Sequence, residues 1–260
     1  GQVEIELLFD TLTQTADSIM VAKYIIRNTA TEYNKTVTFM PKPLYGDEGC
    51  GLHFHIYFTD GERSLFWDPQ GYGGLNKKGH HFIGGLLKHT SAIMGFCNCT
   101  TNSYRRFASE GLAAPVNMSF SVGNRTAAVR IPAYSINEKE ERIEYRIADA
   151  AGNIYFSLAS IIMAGLSGLD REIDPSAEGF GPFDVNIYEL SDEEKSKITT
   201  CPTSLEESLK SLKENHDFLL KDNVFTKSLI ERWIQVKIDR EVKAMAARPH
   251  PYEYYLYYEF

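Results

Sequence analysis

The chain has 260 residues, with 27 Lys plus Arg against 35 Asp plus Glu, a net charge of −8, and 43% hydrophobic residues. That composition excludes a disordered, collagen-like or membrane-spanning chain, and the acidic balance makes nucleic acid an unexpected partner. A chain this long buries a core large enough to fold without disulfides or a structural metal.

Residues 2–9 alternate Glu4 and Glu6 against Val3, Ile5 and Leu7 and read as a strand. Residues 11–33 read as a helix with Leu12, Ala16, Ile19, Met20 and Ile26 near one face, capped by Asp10 or Thr11. A second strand, VTFM, lies within 36–45 and ends at Pro41 and Pro43. The turn GDEGCG leads into LHFHIYF, which alternates as a strand. A GYGG loop precedes a helix over 76–95, strands follow over 115–132 and 142–148, and 153–169 reads as a buried helix. Its apolar run, Phe156 to Leu169, is too short to span a bilayer, so no membrane partner is expected.

The last third reads as helical. Ser204 to Glu207 forms a capping box ahead of Leu205, Leu209 and Leu212. Ile230, Ile234, Ile238 and Val242 recur at i+4 on one face. The tail RPHPYEYYLYYEF is either a packed last strand or an exposed adhesive segment. No linker or repeat divides the chain, which reads as one domain. Residues 1–20 carry acids where a secretion signal is basic, and Cys50, Cys97, Cys99 and Cys201 read as reduced thiols, so a cytoplasmic location is expected.

Three pairs place polar groups at i, i+2 on strands: Glu4/Glu6, His53/His55 and Glu144/Arg146. That spacing points both side chains to one face. Carboxylates with imidazoles suit Mg²⁺ or Mn²⁺, and the alternative for any one pair is a solvated strand face. Arg105, Arg106, Arg125, Arg130, Arg142 and Arg146 crowd into 104–146. Such a cluster suits phosphates and carboxylates, or forms a surface salt-bridge network. Metal ligands with arginines together suggest phosphoryl chemistry, where charge neutralisation and positioning do the work. The chain has no P-loop, GxSxG or HExxH, and the adjacent His80 and His81 read as ordinary helix residues.

The strings TFMPKPLYGDEGCGLHFH, GYGGL, IGGLLKH, TTNSYRRF, APVN, NRTAAVRIP, RIEYR and RPHPYEYYLYYEF, in this order, resemble the glutamine synthetase family, most nearly its bacterial type I form. The resemblance implies an α+β fold, a curved and mostly antiparallel sheet with packed helices. It implies that residues 1–260 form one catalytic-domain-like region, with the family's amino-terminal β-grasp domain absent. The implied activity is an ATP-dependent ligase that joins ammonia, or another amine, to the side-chain carboxylate of glutamate through a γ-glutamyl phosphate. Mg²⁺ or Mn²⁺ is the implied cofactor, ATP the co-substrate, and a homo-oligomer of stacked rings the implied assembly, with the aromatic tail buried in the opposite ring.

By the same resemblance, Glu4 is a ligand of one metal, and His53 and Glu144 are ligands of the other. Phe9, His55, Arg130, Lys139 and Arg142 contact ATP. Gly49, Arg106 and Arg146 lie at glutamate, and Arg125 stabilises the transferring phosphate, which makes Arg125, Arg106 and Arg146 the catalytic set. One ligand for one metal and two for the other implies weak metal binding by this chain alone. Departures accompany the match. Glu48 stands where the family has asparagine, Ala113 stands where it has a flap glutamate with Glu110 nearby, and Tyr57 and Gly123 replace family-typical residues. Tyr188 in NIYEL matches a tyrosine that some members adenylylate. The alternative reading is a non-catalytic glutamine synthetase-like protein with a structural or regulatory role.

Overall fold

The computed structural model describes residues 1–108, 114–134 and 136–260. Its centre is the pair α2 (Lys77–Cys97) and α4 (Ile154–Asp170), which follow the expected helices closely. Asn76 caps α2 by accepting from the Gly79 amide, and Asn153 caps α4 by accepting from Tyr155 and Phe156. The two helices touch backbone to backbone. A Cβ on Gly85 would stand 2.3 Å from the Ala164 carbonyl oxygen and 2.5 Å from the Gly168 nitrogen. Phe82, Ile83, Leu86, Leu87, Ile93 and Phe96 of α2 are completely buried around this contact.

A four-stranded sheet lies beside the helices in the order β1-β4-β3-β2. It comprises β1 (Phe54–Ile56), β2 (Asn117–Val122), β3 (Ala127–Ile131) and β4 (Ile143–Tyr145). β4 pairs antiparallel with β1 and β3, whereas β2 and β3 run parallel, so the sheet is mixed within the expected α+β class. Parallel neighbours usually need a crossover of a dozen or more residues, yet here 123–126 suffice. Gly123 turns the chain at φ 67°, and Asn124 donates to the Phe183 and Val185 carbonyls, which pins the return.

Two expected strands do not form. Residues 2–9 have no partner strand among the described residues, and Val3 and Leu8 are exposed. Alternation without a ladder partner leaves the backbone extended but unpaired. VTFM is likewise irregular, with Phe39 taking Lys23 and Arg27 against its ring. The expected helix over 11–33 forms as α1 (Leu12–Glu32), with Ala16 and Ile19 buried.

The helices α3 (Thr101–Phe107), α5 (Asp192–Lys195), α6 (Leu205–Glu214), α7 (Lys227–Lys237) and α8 (Lys243–Ala246) complete the packing. Ser204 caps α6 through the Glu207 amide, but the Glu207 carboxylate reaches back to Thr203, one residue further than a regular box. Ile230 and Ile234 are buried on α7, and Ile238 and Val242 pack on the core edge in a π-helical turn. The aromatic tail is neither packed nor a strand. It is a helix, α9 (Pro251–Tyr257), with Pro251 at its first turn and Tyr252, Tyr254, Tyr255, Tyr257 and Phe260 exposed. Among the described residues, no helix is long and apolar enough to cross a membrane.

One buried carboxyl is left largely uncompensated among the described residues. Glu141, just before β4, is completely buried, and among the described residues no side chain hydrogen-bonds either carboxylate oxygen, the Arg142 amide being the nearest donor. Gly74 lies against it, with Ile136 and Trp67 around the same spot. Burial pushes the Glu141 carboxyl up to about 7, against the pull of the Arg142 amide and guanidinium.

Two outcomes follow from this packing. Gly85→Ala should destabilise the fold by about 1–3 kcal/mol in urea titration, because backbone atoms of α4 occupy the space of the new methyl. Glu141 holds its proton more tightly folded than unfolded, where 4.5 applies, so its contribution to stability falls as pH rises from 4.5 to about 7 and is constant above. The stability difference between wild type and Glu141→Gln, followed across pH, should show that slope, the glutamine variant gaining over the wild type as pH rises.

Candidate active site

The site forms where three strands set charged residues side by side. Glu144 on β4 stands opposite His55 on β1 and Arg130 on β3 in the strand registers. Its carboxylate is 1% exposed and is met by three partners. His53 Nδ1 lies 3.1 Å from Oε1, Arg146 Nη1 donates to Oε1 at 2.9 Å, and Arg130 Nε donates to Oε2. Burial works to raise the Glu144 carboxyl. The His53 hydrogen bond and the charges of Arg146 and Arg130 outweigh it and bring it down to about 2. Burial lowers both His53 and His55, which favours the neutral imidazole that ligates metals.

His55 also meets Arg142, whose Nε lies 3.4 Å from its Nδ1. The Phe9 ring packs edge-on to His55 and Tyr57 at 6.2 and 5.6 Å between centroids. Arg142 passes 5.1 Å from the Phe9 ring and 5.5 Å from the Tyr134 ring. Phe9, His55, Arg130, Arg142 and Glu144 therefore form one continuous cluster. Arg125 sits exposed in the 123–126 return, and its carbonyl accepts from Arg146 Nη2 at 3.4 Å. Lys139 is exposed on the turn before β4.

Arg106 takes a different place. Its guanidinium is 2% exposed and donates to the Arg146, Ile147 and Ala148 carbonyls at 2.7–3.2 Å. Burial draws it down to about 10. The turn above it has no room for side chains. A Cβ on Gly49 would stand 2.7 Å from Arg106 Cγ, and one on Gly51 would stand 2.6 Å from Arg106 Nη2 and 2.9 Å from His53 Nε2. Arg106 thus ties the end of β4 to α3 and supports the Gly49 turn from below.

The donor chemistry of His53 and Glu144 fits a divalent cation, but two donors are fewer than the about six that Mg²⁺ or Mn²⁺ takes. Glu4 is exposed, and among the described residues no group of three or more His, Cys, Asp or Glu is placed to hold a metal. Glu48 is exposed at the turn, its amide bonded to Asp47. Glu110 and Ala113 lie outside the described residues. The Tyr188 hydroxyl donates to the Ala114 carbonyl at 3.4 Å.

Two contributors escape the sequence reading. Asp149 is completely buried, accepts from the Asn98 side chain and the Ala151 amide, and bonds through its own amide to Cys97 at the end of α2. It fixes the segment whose carbonyls Arg106 grips. Its only signal is an acid in the turn ADAAGN. Tyr134 gives no periodic signal, because it lies in the irregular β3–β4 connection.

A profile described as the catalytic domain of glutamine synthetase matches residues 1–257. The glutamine synthetase of Frankia alni is 47% identical over 260 residues, all of this chain and 54% of that protein. That of Microchaete diplosiphon is 45% identical over 259 residues, with the same coverage. Among solved structures, a Plasmodium falciparum glutamine synthetase superposes with a TM-score of 0.81 at 29% identity, over 95% of this chain and 54% of that one. A GmaS/ADP complex superposes with a TM-score of 0.81 at 25% identity, over 96% of this chain and 56% of that one. The chain spans about half the length of the curated relatives it matches. With the profile covering nearly every residue, the chain belongs to the glutamine synthetase family, in the region of its catalytic domain.

Proposed function

We propose that this chain carries the nucleotide and phosphoryl-transfer face of an ATP-dependent ligase that joins ammonia or another amine to glutamate. The observation that carries the reading is the Glu144 carboxylate, buried among His53, Arg130 and Arg146 on one sheet face. A structural neighbour described as a GmaS/ADP complex supports a nucleotide as a ligand of this fold.

In this reading the ATP phosphates lie along His55, Arg130, Lys139 and Arg142, with the nucleoside toward Phe9. Glutamate lies by Gly49 and Arg146, over the turn that Arg106 supports. A side-chain carboxylate oxygen of glutamate attacks the γ-phosphorus and ADP departs. The neutral amine nitrogen then attacks the acyl carbon, the C–O bond to phosphate breaks, and one proton leaves the nitrogen to the departing phosphate. Arg125 and Arg146 take up charge that develops on the phosphoryl oxygens. His53 with Glu144, and Glu4 separately, would contribute ligands to Mg²⁺ or Mn²⁺, which would lessen repulsion among the phosphates when bound. Glu48 places an acid near the glutamate turn, which favours a cationic amine over a second carboxylate. Assembly with further copies of the chain, and a cytoplasmic setting, belong to the same proposal.

A second reading, a non-catalytic relative, is favoured by one observation. The Arg106 guanidinium already serves three backbone carbonyls. The two readings separate in solution. Calorimetry should show Mg²⁺-dependent ATP binding by the wild type, weakened tenfold or more in Glu144→Gln, which keeps the shape but removes the charge. Phosphate release from Mg-ATP should require glutamate together with an amine. Binding without such release, across a panel of amines, would establish the non-catalytic reading.

A further inference from the structure

Three arginines stand around the Glu144 cluster, and they are held differently. Arg130 and Arg146 give N–H donors to the Glu144 carboxylate. Among the described residues, no carboxylate lies within ion-pair distance of Arg142. Its edge makes two longer neutral contacts, Nε to His55 Nδ1 at 3.4 Å and Nη1 to the Glu140 carbonyl at 3.1 Å. Two aromatic rings supply the rest of its support. The guanidinium carbon is 5.1 Å from the centroid of Phe9 and 5.5 Å from that of Tyr134, both within cation–aromatic range.

The two rings come from separate parts of the chain. Phe9 is anchored on the β1 side by its packing on His55 and Tyr57. Tyr134 comes from the connection between β3 and β4 and is 70% exposed. An aromatic ring holds a guanidinium through the electrostatics of its face and consumes no hydrogen-bond donor. A carboxylate holding the same group would neutralise its charge and occupy its fork. The aromatic arrangement therefore orients a cation while keeping its charge available for an incoming anion.

We propose that Tyr134 is a positioning residue for the candidate site, holding the Arg142 guanidinium in the orientation that meets the polyphosphate of a nucleoside triphosphate. This rests on the nucleotide reading proposed above, and it assigns a role to a residue outside the expected site.

The test compares Tyr134→Ala and Tyr134→Phe in the full chain, using calorimetry with ATP and with adenosine in Mg²⁺. Tyr134→Ala should bind ATP two- to five-fold more weakly, about the effect of one exposed cation–aromatic contact, with adenosine binding unchanged. Tyr134→Phe, which keeps the ring, should match the wild type. A merely structural defect would weaken both ligands, as would direct stacking of Tyr134 on the base, and either result overturns the proposal. Equal ATP affinity in wild type and Tyr134→Ala overturns it while sparing the nucleotide reading. A wild type that binds no ATP overturns the nucleotide reading itself. In that case the Arg142 Nε–H resonance of the ligand-free chain still decides whether Tyr134 orients Arg142. It should shift in Tyr134→Ala and hold in Tyr134→Phe, and an unmoved resonance overturns the positioning role.

Discussion

A carboxylate removed from water has to be met by charge and hydrogen bonds, or it does not stay ionised. Glu144 meets that condition with an imidazole and two guanidinium groups. The arrangement requires three strands in fixed register, because its partners come from β1, β3 and β4 or their ends. Removing Glu144 would leave Arg130 and Arg146 close together without their shared anion. The sheet, the histidines and the arginines are therefore one electrostatic unit, with Phe9 and Arg142 packed at its edge.

That unit stands on an apolar platform. The α2–α4 contact is close because glycines face backbone there, which places the end of α2 firmly against the segment after β4. Asp149 and Asn98 tie those two ends together, and Arg106 adds three further bonds to the same carbonyl run. Packing fixes the coarse placement of the strands. A small set of buried polar bonds then fixes the last few residues, where the candidate chemistry lies. Buried arginines of this kind act through the backbone they hold rather than through an exposed charge.

The amino-acid pattern made the long helices legible, since α2 and α4 carry both apolar faces and side-chain caps. The i, i+2 pairing of His53 with His55 and Glu144 with Arg146 likewise pointed to one face, and those four residues do converge. Residues 2–9 misled, because alternation records burial on one face but supplies no partner for the backbone. Of the two readings of the aromatic tail, the strand fails and the exposed segment holds: its tyrosines favour strands, yet Pro251 and the His250 cap set an exposed helix there. The motif around Arg106 pointed to an arginine at glutamate, while its burial under glycines and its bonds to backbone carbonyls were not legible, because nothing local in the sequence records what lies above a side chain. Tyr134 and Asp149 were illegible for the same reason, as their roles depend on segments distant in the chain.

The parallel pairing of β2 and β3 across so short a return bears on the order in which the cluster is assembled during folding. Arg130 and Glu144 are 14 residues apart, whereas His55 and Arg142 are 87 apart. Closing the longer loop costs about 1.6 kcal/mol more in chain entropy, from the logarithmic dependence on length. The β2-β3-β4 half of the sheet thus brings its arginines and Glu144 together at the smaller closure cost. His53 and His55, at and just before β1, meet this unit only across the longer loop, so their side of the face carries the larger closure cost.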